Sequence, residues 1–251
     1  MLFVWYKVSF DEKWSHGSAV CETVYFFVEF VCVFPWKCVS LNNQNREKIM
    51  DGILRKLPIG IQTFEKLREG DYLYVDKTAL VWRIASTETP YFLSRPRRFG
   101  KSLLLSTFEA YFEGKKELFE GLAIADMEKE WKTYPVFHLD LNAEKYDSPQ
   151  ALVEILSRQL TQWELKYGKG EDEETLSGRF AGVIRRASEQ ADRGVVVLVD
   201  EYDKPLLQAL DDGALLDDYR KTLKAFYGVL KSSDRYLRFV FLTGVTKFAQ
   251  V

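Results

Sequence analysis

The sequence predicts an α/β fold in which a mainly parallel sheet is flanked by helices. From about Leu57 onward, short apolar and β-branched runs alternate with longer stretches whose apolar residues recur at helical spacing. The short runs are apolar at nearly every position, as strands covered on both faces are. With 251 residues, 47% hydrophobic and 29% charged, the chain can bury a large core as one big domain, or as one domain with an appendage.

Residues 1–49 stand apart from that pattern. They are crowded with aromatic and β-branched residues, as in 24–28 (VYFFV) and 30–34 (FVCVF). Glu29 interrupts the apolar run and Pro35 closes it, well short of the roughly 20 apolar residues of a spanning helix. The start also lacks a basic segment and a small-residue cleavage site, which argues against a secretory signal. Two readings stay open: a β-rich edge or hairpin added to the domain, or an extension outside the folded unit. The polar stretch 41–48 (LNNQNREK) resembles a linker and favours the extension, with the domain at 50–251 and Met50 as an alternative start.

The strand candidates are 91–94, 136–141, 195–199 and 237–243. Between them, a helix over 102–113 places Leu104, Leu105, Phe108, Tyr111 and Phe112 at helical spacing, and Gly114 is positioned to end it. Ser148 and Pro149 give a cap and a first-turn proline, after which Leu152, Ile155, Leu156, Leu160 and Trp163 continue an apolar face. Two further helices are expected over 175–192 and 215–230, the latter turning Leu216, Tyr219, Leu223, Phe226 and Leu230 inward.

The chemistry concentrates at strand ends. After the first strand comes Arg95, Pro96, Arg97, Arg98, Phe99, Gly100, Lys101 and Ser102, followed at once by the first long helix. Strand, loop, Gly-Lys-Ser and helix is the context of a phosphate-binding loop, in which successive backbone amides and the helix N-terminus face phosphate oxygens. Lys101 would neutralise the β and γ phosphates of ATP, and Ser102 would hold magnesium. The pattern departs from the usual one in carrying Arg95 where the first glycine stands. A lone Gly-Lys-Ser is a weak signal, equally compatible with an exposed lysine at a helix start.

A second feature strengthens it. Residues 195–199 (VVVLV) form a buried strand that delivers Asp200 and Glu201 at its C-terminal end, where open parallel sheets bind ligands. Asp200 suits the second shell of magnesium and Glu201 suits polarising an attacking water, with the two acids facing the cradle from a neighbouring strand. A third apolar strand ends in Thr243 and Gly244, offering a hydroxyl that would orient the lytic water beside Glu201. The order of loop, intervening strand, acidic strand and polar-tipped strand is that of P-loop NTPases with an additional strand between the loop and the acids.

Five ordered motifs, at 57–68 (LPIGIQTFEKLR), 72–78 (YLYVDKT), 95–102, 199–205 (VDEYDKP) and 242–248 (LTGVTKF), closely resemble the AAA-ATPase-like family. The resemblance runs from about residue 55 to the chain end. It implies a P-loop fold, nucleotide binding at Lys101 and Ser102, acidic residues at Asp200 and Glu201, and Thr243 at the sensor position. An arginine-rich loop is usual in that family, so Arg95 fits it. Such proteins often continue into a PD-(D/E)XK nuclease-like region. By this resemblance the sheet is incomplete at the C-terminus, and contact with nucleic acid would come only through a region beyond Val251.

Arg97 and Arg98 could reach a phosphate, a neighbouring subunit or nucleic acid, or simply be exposed. The stretch 72–78 is placed near the nucleotide base without an assigned contact. Asp203 is expected to cap or brace the turn before Pro205 rather than act chemically.

A formal net charge of -2 gives no global reason for nucleic-acid or membrane affinity. Three cysteines within the first forty residues, in no framework spacing, suit a reducing, cytoplasmic setting. With only two histidines, His16 and His138, no zinc ligand set of ordinary spacing exists. The function expected is ATP binding with magnesium-dependent hydrolysis that drives or gates an attached activity. The alternatives are a nucleotide-dependent switch or scaffold with negligible turnover, and a fragment that is inactive alone. ATPases of this type often complete their sites with a neighbour's arginine, so self-association belongs with the last of these.

Overall fold

The computed structural model describes residues 55–246 apart from 88, 143 and 144. The stretch 1–49, its linker, Met50 and the end of the 242–248 motif lie outside the described residues.

The described elements are α1 (Phe64–Glu69), α2 (Thr78–Ala85), β1 (Tyr91–Ser94), α3 (Lys101–Phe112), α4 (Ala123–Met127) and β2 (Val136–Asp140). They continue with α5 (Pro149–Tyr167), α6 (Leu176–Ala191), β3 (Val195–Asp200), α7 (Lys204–Gln208), α8 (Gly213–Ser232) and β4 (Leu237–Gly244). The four strands form one wholly parallel sheet in the order β1-β4-β3-β2. Every C-terminal strand end therefore lies along one rim.

The side-chain alternation of β3 divides the interior into two cores. Val195, Val197 and Val199 join Phe137, Leu139, Val240 and Leu242 on the face covered by α5, α6 and α8. Val196 and Leu198 join Phe239 and Phe241 on the opposite face, under α1, α2 and α3. This is why β3 reads as an unbroken apolar run: all six of its residues are buried. β2 alternates instead, because its His138 and Asp140 lie outside both cores, and β1 is half-buried along its whole length. The expectation of strands buried on both faces therefore holds for the central strands and fails for the outer two. Aromatic stacking reinforces the layers, with Phe180 on Phe226 at 4.4 Å joining α6 to α8, and Phe137 on Trp163 at 4.5 Å joining β2 to α5.

Helix ends follow local chemistry. α3 closes with Gly114 at φ 73°, while the Gly114 amide donates to Tyr111 O (3.0 Å) and that of Lys115 to Ala110 O (3.0 Å). Only a residue without Cβ takes that left-handed position at little cost. Thr175 caps α6 by accepting from Gly178 N (3.0 Å), and Asp212 caps α8 by accepting from Ala214 N and Leu215 N (3.1 Å each). Ser148 corrects the expectation of a hydroxyl cap: its side chain makes no capping bond. Pro149 has already removed one of the donors a cap would serve, and the Ser148 carbonyl instead accepts from Ala151 N and the Tyr219 hydroxyl.

Candidate functional site

The phosphate-loop candidate spans the gap between β1 and α3. Gly100 sits at the N-cap of α3 with φ 72° and ψ 19°, and Arg98 is also left-handed at φ 67°. Two such residues in three fold the loop back over the helix start. No side chain caps α3 and no acid lies in its first turn, so its leading amides have neither an intrahelical partner nor a side-chain cap. Pro96, Arg97, Arg98 and Phe99 are exposed, and Arg95, Gly100 and Ser102 are half-buried.

Lys101 is the exception, at 4% exposure. A lysine is almost never so buried without partners. Its Nζ donates to Arg95 O (3.1 Å) and Pro96 O (3.2 Å) and lies 3.6 Å from Glu201 Oε1. The loop lysine and the acidic strand end, 100 residues apart in sequence, thus meet in space.

The acids do not come from the strand next to the loop. β4 lies between β1 and β3, so the expectation of a neighbouring strand is corrected: both acids leave β3, and Glu201 reaches Lys101 across the tip of β4. That tip carries Thr243, fully buried, whose hydroxyl donates to Asp200 Oδ1 (2.5 Å) and accepts from Glu201 N (3.2 Å). The hydroxyl is committed to the two acids. Glu201 adopts φ 50°, a left-handed conformation costing a non-glycine residue on the order of 1 kcal/mol or more. The Thr243 hydroxyl, a bond from Tyr202 N to Thr243 O (2.9 Å) and one from Lys204 N to Glu201 O (2.9 Å) hold it there.

Beneath the site, His138 of β2 bonds Glu109 of α3 through Nδ1 (2.9 Å). Burial alone would pull its imidazole down, but the Glu109 hydrogen bond and charge, with the charges of Asp200 and Asp140, raise it above its ordinary value.

The described residues hold no cluster of three or more His, Cys, Asp and Glu side chains arranged for a metal. Ser102 and Asp200, the residues expected to hold magnesium, carry oxygen donors of the kind a hard cation takes. No helix among the described residues is long and apolar enough to cross a membrane.

Two further sequence features find hydrogen-bond partners. In the stretch 72–78, Asp76 accepts from Thr78 N (2.8 Å), the Thr78 hydroxyl (2.7 Å) and Ala123 N (2.7 Å), while Ile124 N donates to Thr78 Oγ1 (3.1 Å). These two residues pin the start of α4. Asp203 does not cap α7 with its side chain but grips the chain leaving β4, accepting at Oδ2 from Val245 N (2.9 Å), Thr246 N (2.6 Å) and the Thr246 hydroxyl (2.8 Å). Sequence reasoning also missed why Gly244 is glycine. A Cβ there would meet the Tyr202 ring at 2.6 Å and Asp203 Oδ1 at 2.8 Å.

A family model described as predicted AAA-ATPase matches residues 58–251. An uncharacterized protein from the vnfD 5' region of Azotobacter chroococcum mcd 1 is 42% identical over 198 residues, covering 78% of this chain and 38% of that protein. The chain thus spans well under half the length of this relative. No solved structure matches.

Proposed function

This chain belongs to the AAA-ATPase-like family, and from that premise we propose that it binds ATP with magnesium at residues 95–102 and hydrolyses it. One observation carries the reading: the buried Lys101 ammonium lies between its own loop and Glu201, at the rim where a parallel sheet receives ligands. The leading amides of α3 and the main chain of Arg95 to Gly100 cradle the phosphates, and Lys101 turns from the Arg95 and Pro96 carbonyls to the β and γ oxygens. Ser102 and Asp200 hold magnesium, which when bound neutralises charge on the transferred phosphoryl group. Glu201 orients and polarises the attacking water. Thr243 serves by fixing both acids, because its hydroxyl is already engaged by Asp200 and the Glu201 amide. Arg97 and Arg98 project from the loop into solvent, where they can meet a phosphate or a neighbouring subunit.

The test is a pair of variants on the full chain, with binding followed by a fluorescent ATP analogue and turnover by phosphate release. Lys101→Ala abolishes binding, and binding that survives it overturns the loop assignment. Glu201→Gln keeps magnesium-dependent binding and stops turnover. A wild-type chain that binds and shows negligible turnover is instead a nucleotide-dependent switch or scaffold. The contact between Lys101 and Glu201 favours that second reading to the extent that nucleotide must break it and so rearrange the acidic turn. Turnover that rises with protein concentration would mark self-association as part of the site.

A further inference from the structure

The two halves of the site never touch along the sheet. The phosphate loop leaves β1 and the acids leave β3, and the main-chain link between their roots passes through β4 between them. On one side the root of the loop is fastened to the chain leaving β4: Arg95 N donates to Gly244 O (3.0 Å) and the Ser94 hydroxyl to Val245 O (2.9 Å). On the other side the acidic turn is fastened to the same residues. Tyr202 N donates to Thr243 O (2.9 Å), the Tyr202 hydroxyl to Thr246 O (3.1 Å), and Asp203 Oδ2 receives two amides and the Thr246 hydroxyl. Segment 244–246 is thus a shared spacer.

Asp203 is the strongest of these fastenings. It is completely buried, and a buried carboxylate is retained only with compensating donors; here three converge on one oxygen. Its other oxygen, Oδ1, has no hydrogen-bond partner among the described residues and points at the Gly244 backbone, where even a methyl group would not fit. The buried Tyr227 hydroxyl of α8 likewise lacks a partner, and lies close enough for the Asp203 charge to act on it. Nothing in the proposed chemistry uses Asp203, yet it occupies the junction through which the chemistry is aligned.

We propose that Asp203 is a positioning residue: by gripping 245–246 it holds the acidic turn and the root of the phosphate loop in one register, so that turnover, not nucleotide affinity, depends on it. The phosphates are held by the amides of 97–102, whereas the fastening to 244–246 runs through Ser94 and Arg95 N at the root of the loop, so loosening it leaves the cradle in place. Glu201 is one residue beyond the strand end and only two from Asp203, so loss of the grip displaces the acid relative to a bound phosphate. Misplacement of a reacting geometry by about 1 Å costs up to about a hundredfold in rate.

The kinetic arm rests on the ATPase reading, and a second arm does not. In the full chain, Asp203→Ala lowers kcat about tenfold or more with the Kd for the ATP analogue within about twofold of wild type. Asp203→Asn, which keeps an acceptor for the three donors, recovers most of the loss. Unchanged kcat in Asp203→Ala, or a parallel loss of affinity, overturns the proposal. If Asp203→Ala does not fold, Asp203→Asn and Thr246→Val carry the same kcat-against-Kd comparison with smaller losses. Independently of turnover, amide hydrogen exchange on the nucleotide-free chain reads the coupling. Loss of Asp203 must deprotect not only Val245 and Thr246 but also the Arg95 and Glu201 amides, and unchanged protection of those two overturns it. A wild-type chain that binds ATP without turnover sinks hydrolysis alone, leaving exchange to decide the positioning role.

Discussion

Thr243 offers the sharpest test of how the acidic residues are held, because packing and hydrogen bonding predict opposite rankings for two of its variants. The side chain is fully buried, donates to the Asp200 carboxylate at 2.5 Å and accepts from Glu201 N at 3.2 Å. Thr243→Val preserves the branched shape but removes a bond to a charged acceptor, worth about 1.5–3 kcal/mol, and strands a buried amide at about 1–3 kcal/mol. The added apolar character of the new methyl returns a little under 1 kcal/mol. The expected net loss of stability is about 2–5 kcal/mol. Thr243→Ser keeps both hydrogen bonds and loses one methyl group, at about 0.5–1.5 kcal/mol. Urea unfolding followed by tryptophan fluorescence ranks them. If the valine variant is as stable as the serine variant, the hydroxyl does not hold the acids and the account of the site is wrong. A double-mutant cycle with Asp200→Ala adds a second check: the coupling should be about 1.5–3 kcal/mol, and a value under about 0.5 kcal/mol would refute the bond.

Other expectations follow from the same structure. Gly244→Ala forces a Cβ to within 2.6 Å of the Tyr202 ring and should lower stability by about 1–3 kcal/mol, whereas Gly213→Ala, with nothing within 4 Å, should be neutral or slightly stabilising; thermal melts compare them. Glu173 is clamped by Arg186 through bonds of 2.5 and 2.8 Å, which holds its carboxyl below the ordinary value of 4.5 despite partial burial. Because the folded value is depressed, the clamp contributes fully above about pH 5, and its contribution is lost as pH falls through the folded value. Melting temperatures of wild type and Glu173→Gln should therefore converge toward acid, and curves that stay parallel would count against the clamp. Arg179 and Glu164 form a buried pair at 2.8 Å between α6 and α5; Arg179→Met leaves the Glu164 charge uncompensated at a cost of about 3–5 kcal/mol, and adding Glu164→Gln should recover part of it in the same melts.

Much of this molecule is local in origin and so was readable along the chain. The strands 91–94, 136–140, 195–200 and 237–244 and the long helices declare themselves through apolar period and end signals, since each is decided by which residues must leave water. Gly114 announces the end of α3 for the same kind of reason, the absence of a Cβ. Short helices such as α1, α2, α4 and α7 did not announce themselves, because five to eight residues hold too little period and their stability comes from neighbours.

The sequence alone determined the parallel α/β class, the loop at 95–102 and the presence of acids at a strand end, because these depend on residue type and spacing. Tertiary structure decided what those residues face: that β4 separates loop from acids, that Lys101 is buried against Glu201, that Thr243 spends its hydroxyl on the acids, and that Asp203 grips the chain beyond β4 instead of capping its own helix. Each of these is a contact between residues tens of positions apart. Their distances are fixed by strand order and side-chain burial, which no local stretch of sequence encodes.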